Sequence, residues 1–105
     1  MSAHQRALSD LLPIDPAELA RLCREYGIVE LAVFGSVLRG EAVDGSEVDL
    51  LYVVDPNVEL GWEIEALNEK LSAAIGRPVD LVSKKYLHAR LRDQILSEAV
   101  TVYAA

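Results

Sequence analysis

The sequence predicts a small α/β (α+β) domain in which helices cover a mixed sheet of about three strands. Runs rich in β-branched residues alternate along the chain with segments whose apolar residues recur every three or four positions. The chain has 105 residues, of which 51% are hydrophobic and 26% are charged. This length suffices for one hydrophobic core and not two, so we expect a single domain over residues 1–105.

A first helix is predicted over Pro16–Tyr26, after a polar and partly flexible N-terminus at residues 1–14. Asp15 is a good N-cap residue, and proline suits the first position of a helix. Gly27 suits the end of the helix, because glycine tolerates the left-handed conformation there. The apolar residues of this segment follow helical spacing and are Leu19, Leu22, Cys23 and Tyr26.

Two strands and a long helix are predicted next. Ile28–Phe34 and Glu47–Val54 are rich in β-formers and are bounded by turn residues. An apolar stripe with helical spacing then predicts a helix of about four turns, which Gly76 ends. The residues of the stripe are Leu60, Ile64, Leu67, Leu71 and Ile75.

The C-terminal third of the chain predicts a short strand followed by a helix. Pro78–Val82 is the third predicted strand. Apolar residues then recur every fourth position from Leu87 to Ala99, which predicts a C-terminal helix. Val100–Tyr103 is either the end of that helix or a short extended tail.

Charge and composition exclude several classes of protein. Ten Lys+Arg against 17 Asp+Glu give a net charge of −7, which argues against direct nucleic acid binding because that affinity comes from basic side chains. A single cysteine, Cys23, excludes an internal disulfide and a cysteine-rich zinc site. No apolar run approaches the roughly 20 residues of a membrane span, and no secretory leader is visible, so we expect a cytoplasmic protein without membrane contact.

The turn after the first strand carries groups suited to phosphate. Gly35-Ser36 breaks the strand, and exposed N–H groups at such a turn bind phosphate oxygens. Ser36 adds a hydroxyl donor, and Arg39 adds a positively charged fork one turn later.

Three acidic residues are predicted to meet on the sheet. Glu47 and Asp49 are two apart at the start of the second strand, so their side chains share one face with Cα atoms about 6.6 Å apart. Asp80 lies in the third strand, and it joins the same face if that strand pairs beside the second. Carboxylates in this arrangement bind divalent cations that bridge phosphate oxygens.

These segments together resemble the nucleotidyltransferase superfamily of the DNA polymerase β type. Within it they resemble the minimal nucleotidyltransferases (MNT), the antitoxins paired with HEPN-domain toxins. The family pattern is Gly-Ser, a spacer and Asp-x-Asp; here it is Gly35-Ser36, the ten residues 37–46, and Glu47-Val48-Asp49. Arg39-Gly40-Glu41 and Pro78–Val82 match further stretches of the pattern. Glu47 departs from it, because it stands where the family usually has Asp.

The resemblance implies a fold, a reaction and a partner. It implies the nucleotidyltransferase fold and Mg²⁺-dependent transfer of AMP from ATP to a tyrosine hydroxyl of a HEPN ribonuclease toxin. Gly35, Ser36 and Arg39 would bind the nucleotide. Glu47, Asp49 and Asp80 would hold the metal and serve in catalysis, with Asp80 also helping to deprotonate the attacking hydroxyl.

Two alternatives stay open on the sequence. The glutamate at position 47 is one methylene longer than aspartate, and catalysis of this kind depends on positioning within about 1 Å. A weakened or inactive domain that neutralises the toxin by binding alone is therefore one alternative. Nucleotidyl transfer to a small molecule is the other.

Overall fold

A four-stranded open sheet forms the centre of the computed structural model, which describes residues 12–35 and 46–105. The elements in chain order are α1 (Pro16–Glu25), β1 (Ile28–Phe34), β2 (Val48–Val54), α2 (Glu63–Ile75), β3 (Val79–Ser83), a short 3₁₀ helix (Lys84–Tyr86), α3 (Ala89–Glu98) and β4 (Val100–Ala104). The strand order is β3-β2-β1-β4. Strand β1 is antiparallel to both β2 and β4, whereas β2 and β3 are parallel. The predicted mixed α/β class is confirmed.

Helices α1 and α2 pack on one face of this sheet and enclose the core. Alternation along β2 turns Val48 and Leu50 to that face, where both are fully buried. The remaining core residues come from both helices, from strands β1 and β3, and from the segment ahead of α1, and they are Leu12, Leu19, Leu22, Cys23, Ile28, Leu31, Val33, Leu67, Leu71, Ile75 and Val79. The same alternation turns Asp49 and Leu51 to the second face of the sheet.

The thiol of Cys23 is part of this core. Its side chain is only 1% exposed, and burial raises the pKa of the thiol to about 12, while the charge of Arg24 acts weakly in the opposite direction. Cys23 is therefore a small core residue on the packed side of α1.

Helix α1 begins and ends as its sequence indicates. The side chain of Asp15 accepts a hydrogen bond from the backbone N–H of Ala17, and Pro16 takes the first helical position. Gly27 has a φ of +72°, which is the left-handed conformation that favours glycine. The helix ends at Glu25, with Tyr26 as its C-cap residue.

The predictions differ from the structure in three places. Helix α2 begins at Glu63, three residues after Leu60, although Leu60 still packs against the core. Residues 84–86 form a separate 3₁₀ turn ahead of α3. Val100–Ala104 forms a fourth strand, so the count of about three strands was one too low.

The predicted N-terminal segment 1–14 lies mostly outside the described residues. Of its described part, Leu12 is 2% exposed and belongs to the core. Within residues 12–35 and 46–105, no helix has the length and apolar character that crossing a membrane requires.

Candidate active site

The pairing of β2 with β3 brings two of the predicted acids together. Asp49 and Asp80 are register partners in the two parallel strands. Neighbouring strands lie about 4.8 Å apart, and paired residues project from the same face. Asp49 is half-buried and Asp80 is exposed, so both carboxylates lie on the face that α1 and α2 do not cover. The predicted pairing of the third strand beside the second is confirmed.

Gly35 lies directly against Asp49. Phe34, the last residue of β1, is the register partner of Asp49, and Gly35 follows it. Gly35 is buried and has a φ of +84°. A Cβ atom at this position would overlap the carboxylate of Asp49 and lie 3.1 Å from its Cγ. The position therefore requires glycine both for its backbone conformation and for the space that Asp49 occupies.

Glu47 lies just before β2, which begins at Val48. The backbone N–H of Val48 donates to the carbonyl of Pro78 at 2.8 Å, so the chain is already held beside β3 at this point. The side chain of Glu47 is exposed. The structure thus places Glu47 at the same end of the sheet as Asp49 and Asp80, one residue outside the strand.

The three acids do not form a compact cluster of side chains. Among residues 12–35 and 46–105, no group of three or more His, Cys, Asp or Glu side chains is arranged to hold a metal ion. Magnesium is commonly bound through one or two carboxylates, with water and substrate phosphates completing its octahedron. The chemistry of the Asp49 and Asp80 pair fits this mode, whereas a closed cage of protein ligands does not fit.

Two of the predicted nucleotide-binding residues, Ser36 and Arg39, lie outside the described residues. Their roles stay predictions, as does the assignment of Glu47, Asp49 and Asp80 as catalytic metal ligands. Only Gly35 of the predicted phosphate-binding turn is described, and it ends β1 beside the acids as the sequence indicates.

A further acid, Glu98, approaches the same turn and was not predicted. The backbone N–H of Gly35 donates to Oε1 of Glu98 at 3.4 Å. Glu98 is the last residue of α3, and β4 begins two residues later. Local sequence carries no signal for this contact, because it depends on the pairing of β4 with β1.

A groove at the opposite end of β2 is separate from these acids. It has a volume of about 640 Å³ and is lined in part by Tyr52, Val58, Leu60 and Tyr86. Asp49 is the second residue of the seven-residue strand β2 and Val54 is the last, which separates the two residues by well over 10 Å. The groove therefore does not belong to the candidate active site.

Comparison with known proteins decides the family. The family model described as "Nucleotidyltransferase domain" matches residues 18–102. The chain belongs to this family. It is therefore an enzyme of the nucleotidyltransferase class, and the predicted resemblance is confirmed.

Similar proteins agree with the assignment in sequence and in fold. The chain is 38% identical over 95 residues to the protein adenylyltransferase MntA of Thermococcus cleftensis. The matched region covers 90% of this chain and 95% of the relative. A solved minimal nucleotidyltransferase is 39% identical, with a TM-score of 0.68 over 81% of this chain and 86% of that one. The MNT antitoxin solved in complex with a tri-AMPylated HEPN toxin of Shewanella oneidensis has the same fold, with 17% identity and a TM-score of 0.62 over 86% of this chain and 70% of that chain.

Proposed function

We propose that this nucleotidyltransferase is an antitoxin that transfers AMP from ATP to a tyrosine hydroxyl of a HEPN toxin. The observation that carries the proposal is the pair Asp49 and Asp80, aligned on adjacent strands beside Gly35. The name of the Thermococcus relative, protein adenylyltransferase, supports the reaction and its nucleotide. The AMPylated HEPN toxin bound by a protein of the same fold supports the class of acceptor.

In this reaction the acceptor oxygen forms a bond to the α-phosphorus of ATP. The bond from that phosphorus to the bridging oxygen breaks, and pyrophosphate leaves. Asp80 is exposed and lies beside Asp49, so an incoming hydroxyl reaches it from solvent. We assign to Asp80 the acceptance of the hydroxyl proton.

Glu47, Asp49 and Asp80 are the residues that would hold Mg²⁺. A bound magnesium ion supplies charge neutralisation for the phosphate oxygens and a template for in-line attack. Asp49 is half-buried between Gly35 and Asp80, so its carboxylate has the most restricted position of the three. Gly35, Ser36 and Arg39 form the triphosphate site in this proposal, which for all three rests on the family resemblance; the N–H of Gly35 itself donates to Glu98.

The expected partner is a protein. The 38% identical relative is named a protein adenylyltransferase, and a protein of the same fold is bound to an AMPylated HEPN toxin. In this proposal the acceptor hydroxyl therefore belongs to another protein. We keep the cytoplasm as the expected location, since ATP and the RNA substrate of a ribonuclease toxin are both present there.

The experiment combines the purified chain with the HEPN protein of the neighbouring reading frame, ATP and Mg²⁺. Intact-mass spectrometry of that protein is expected to report a gain of one or more AMP units, and peptide mapping is expected to locate them on tyrosine. Asp49→Asn and Asp80→Asn should each lower the rate at least a hundredfold. Asp93→Asn, the same change at an exposed residue of α3, should leave the rate unchanged.

Neutralisation by binding alone is the second candidate function, and the position of Glu47 favours it. This side chain is exposed and lies outside β2, where a longer acid in place of aspartate is poorly fixed. If the wild type suppresses toxicity with no gain of AMP, and Asp49→Asn suppresses it equally well, the binding function replaces the enzymatic one. If Glu47→Asp then confers transfer, the longer side chain is the cause.

A further inference from the structure

Glu98 is the only acid outside the predicted set that the described residues bring to the Gly35 turn by a hydrogen bond. Its Oε1 accepts from the backbone N–H of Gly35 at 3.4 Å, between residues 63 apart in sequence. Glu98 is half-buried, and Gly35 is buried. A buried backbone N–H that loses its acceptor is destabilising, so this contact matters for the conformation of the turn.

The position of Glu98 follows from the junction between α3 and β4. Ala99, between the two elements, has extended φ and ψ of −62° and 139°. Strand β4 starts at Val100, which is the register partner of Val33 in β1. The last residue of α3 is thereby held at the end of β1, where Gly35 follows. Arg92, earlier in α3, donates to the carbonyl of Lys84 at 3.0 Å and ties the helix to the end of β3.

The hydrogen bond restrains the orientation of the peptide that joins Phe34 to Gly35. Gly35 has a left-handed φ of +84°. The carboxylate of Asp49 occupies the space that a Cβ atom on the same glycine would take. The two carboxylates therefore contact Gly35 at different places, Glu98 at its N–H and Asp49 at the position of the missing side chain.

We propose that Glu98 is a positioning residue for the phosphate-binding turn, which rests on the nucleotide site proposed above. Its carboxylate holds the Gly35 peptide in a fixed orientation at the start of that turn. It does not contact the reacting atoms. The role requires a hydrogen-bond acceptor at the position of Oε1, and it does not require a negative charge.

Two substitutions of Glu98 test the acceptor oxygen and the negative charge separately. Glu98→Gln removes the charge and keeps an oxygen acceptor at the same reach. Glu98→Asp keeps the charge and withdraws the oxygen by about 1.5 Å, which breaks a bond that is already 3.4 Å long. Asp93→Asn is the matched control, because Asp93 is an exposed acid on the same helix and the change removes the same charge as Glu98→Gln.

The two readouts are the Kd for AMP-PNP with Mg²⁺ and the exchange rate of the Gly35 amide measured by NMR. Glu98→Asp is expected to raise the Kd and speed the exchange by about tenfold each, whereas Glu98→Gln and Asp93→Asn stay within about twofold of the wild type. A general loss of structure would speed exchange throughout the sheet, so the effect must be confined to residues near Gly35.

Several results would overturn the proposal. Tighter AMP-PNP binding by Glu98→Gln would mean that the carboxylate competes with phosphate. Loss of binding in Glu98→Gln with wild-type binding in Glu98→Asp would mean that the charge is what matters, and equal loss in both variants would mean that an acceptor oxygen alone does not account for the role. Unchanged binding by Glu98→Asp with faster Gly35 exchange would mean that the contact is structural only. A wild type that binds no AMP-PNP would overturn this role together with the nucleotide site, whereas binding without AMP transfer to a protein would overturn only the proposed function.

Discussion

Gly35→Ala is expected to abolish AMP transfer through Asp49, and Gly76→Ala provides a matched control. The two glycines have nearly equal left-handed conformations, with φ values of +84° and +82°. A Cβ at Gly35 would overlap the carboxylate of Asp49, whereas a Cβ at Gly76 would meet nothing within 4 Å. Comparing the two alanine variants therefore separates backbone strain from displacement of Asp49.

The expected losses of stability and of transfer rate follow from the backbone strain and from the contact with Asp49. An alanine in the left-handed region costs about 1–2 kcal/mol, and this cost applies to both variants. A change of 1 kcal/mol lowers the Tm of a domain of this size by about 4–8 °C. In Gly35→Ala the Asp49 side chain must also leave its place by 1 Å or more, which costs about a hundredfold in the transfer rate.

The assay combines thermal unfolding with the AMP transfer rate. We expect both variants to melt below the wild type. We expect Gly76→Ala to retain wild-type transfer at a temperature where it is folded, and Gly35→Ala to lose it. Equal transfer rates in the two folded variants would refute the reasoning, because a Cβ at Gly35 must displace Asp49 and a Cβ at Gly76 meets nothing within 4 Å.

Three further predictions concern stability. Leu71 is fully buried and Leu91 is 51% exposed. Urea denaturation should show that Leu71→Ala lowers the free energy of unfolding by about 2–5 kcal/mol and Leu91→Ala by less than about 0.5 kcal/mol. Similar losses in the two variants would contradict the described core. The pKa of the Cys23 thiol is raised from 9.0 to about 12, so the unfolded chain releases this proton first and stability should fall by about 1.4 kcal/mol per pH unit between pH 9 and 12. Cys23→Ala should remove that part of the slope, and an unchanged slope would show that other groups cause it. Trp62 is 85% exposed, and its side chain makes no capping hydrogen bond to α2. Trp62→Ala should therefore change the free energy of unfolding by less than about 0.5 kcal/mol. A larger loss in the same denaturation experiment would contradict this exposure.

The elements specified by local signals were predicted accurately. Strand β1 occupies Ile28–Phe34 in both the prediction and the structure, because glycines bound it on both sides. The stripe that begins at Leu60 identified the packed side of α2 but not its first residue. Apolar spacing reports which side chains pack, whereas the start of a helix depends on backbone hydrogen bonds. Here the N–H of Gly61 donates to the carboxylate of Glu63 at 2.9 Å ahead of the first helical turn.

The parts of the site that depend on distant pairing were predicted less well. Asp49 and Asp80 were expected to share a face only if the third strand paired beside the second, and the parallel pairing of β2 with β3 meets that condition. Strand β4 gave no comparable signal, since Val100–Tyr103 is compatible with a helix end or an extended tail. Without β4 there was no reason to bring Glu98 to Gly35. The residue that the sequence did not reveal is thus the one whose position depends on the longest connection.

The pairing of β1 with β4 also has a kinetic consequence. Strands β1 and β2 are joined through the short segment 35–47, and β2 reaches β3 through α2 alone. The contact between Glu30 and Ala104 instead closes a loop of more than seventy residues, and long closures form slowly because chain entropy opposes them. We therefore expect β4 to dock last during folding, so that a newly made chain acquires the conformation of the proposed nucleotide-binding turn only after most of its core has formed.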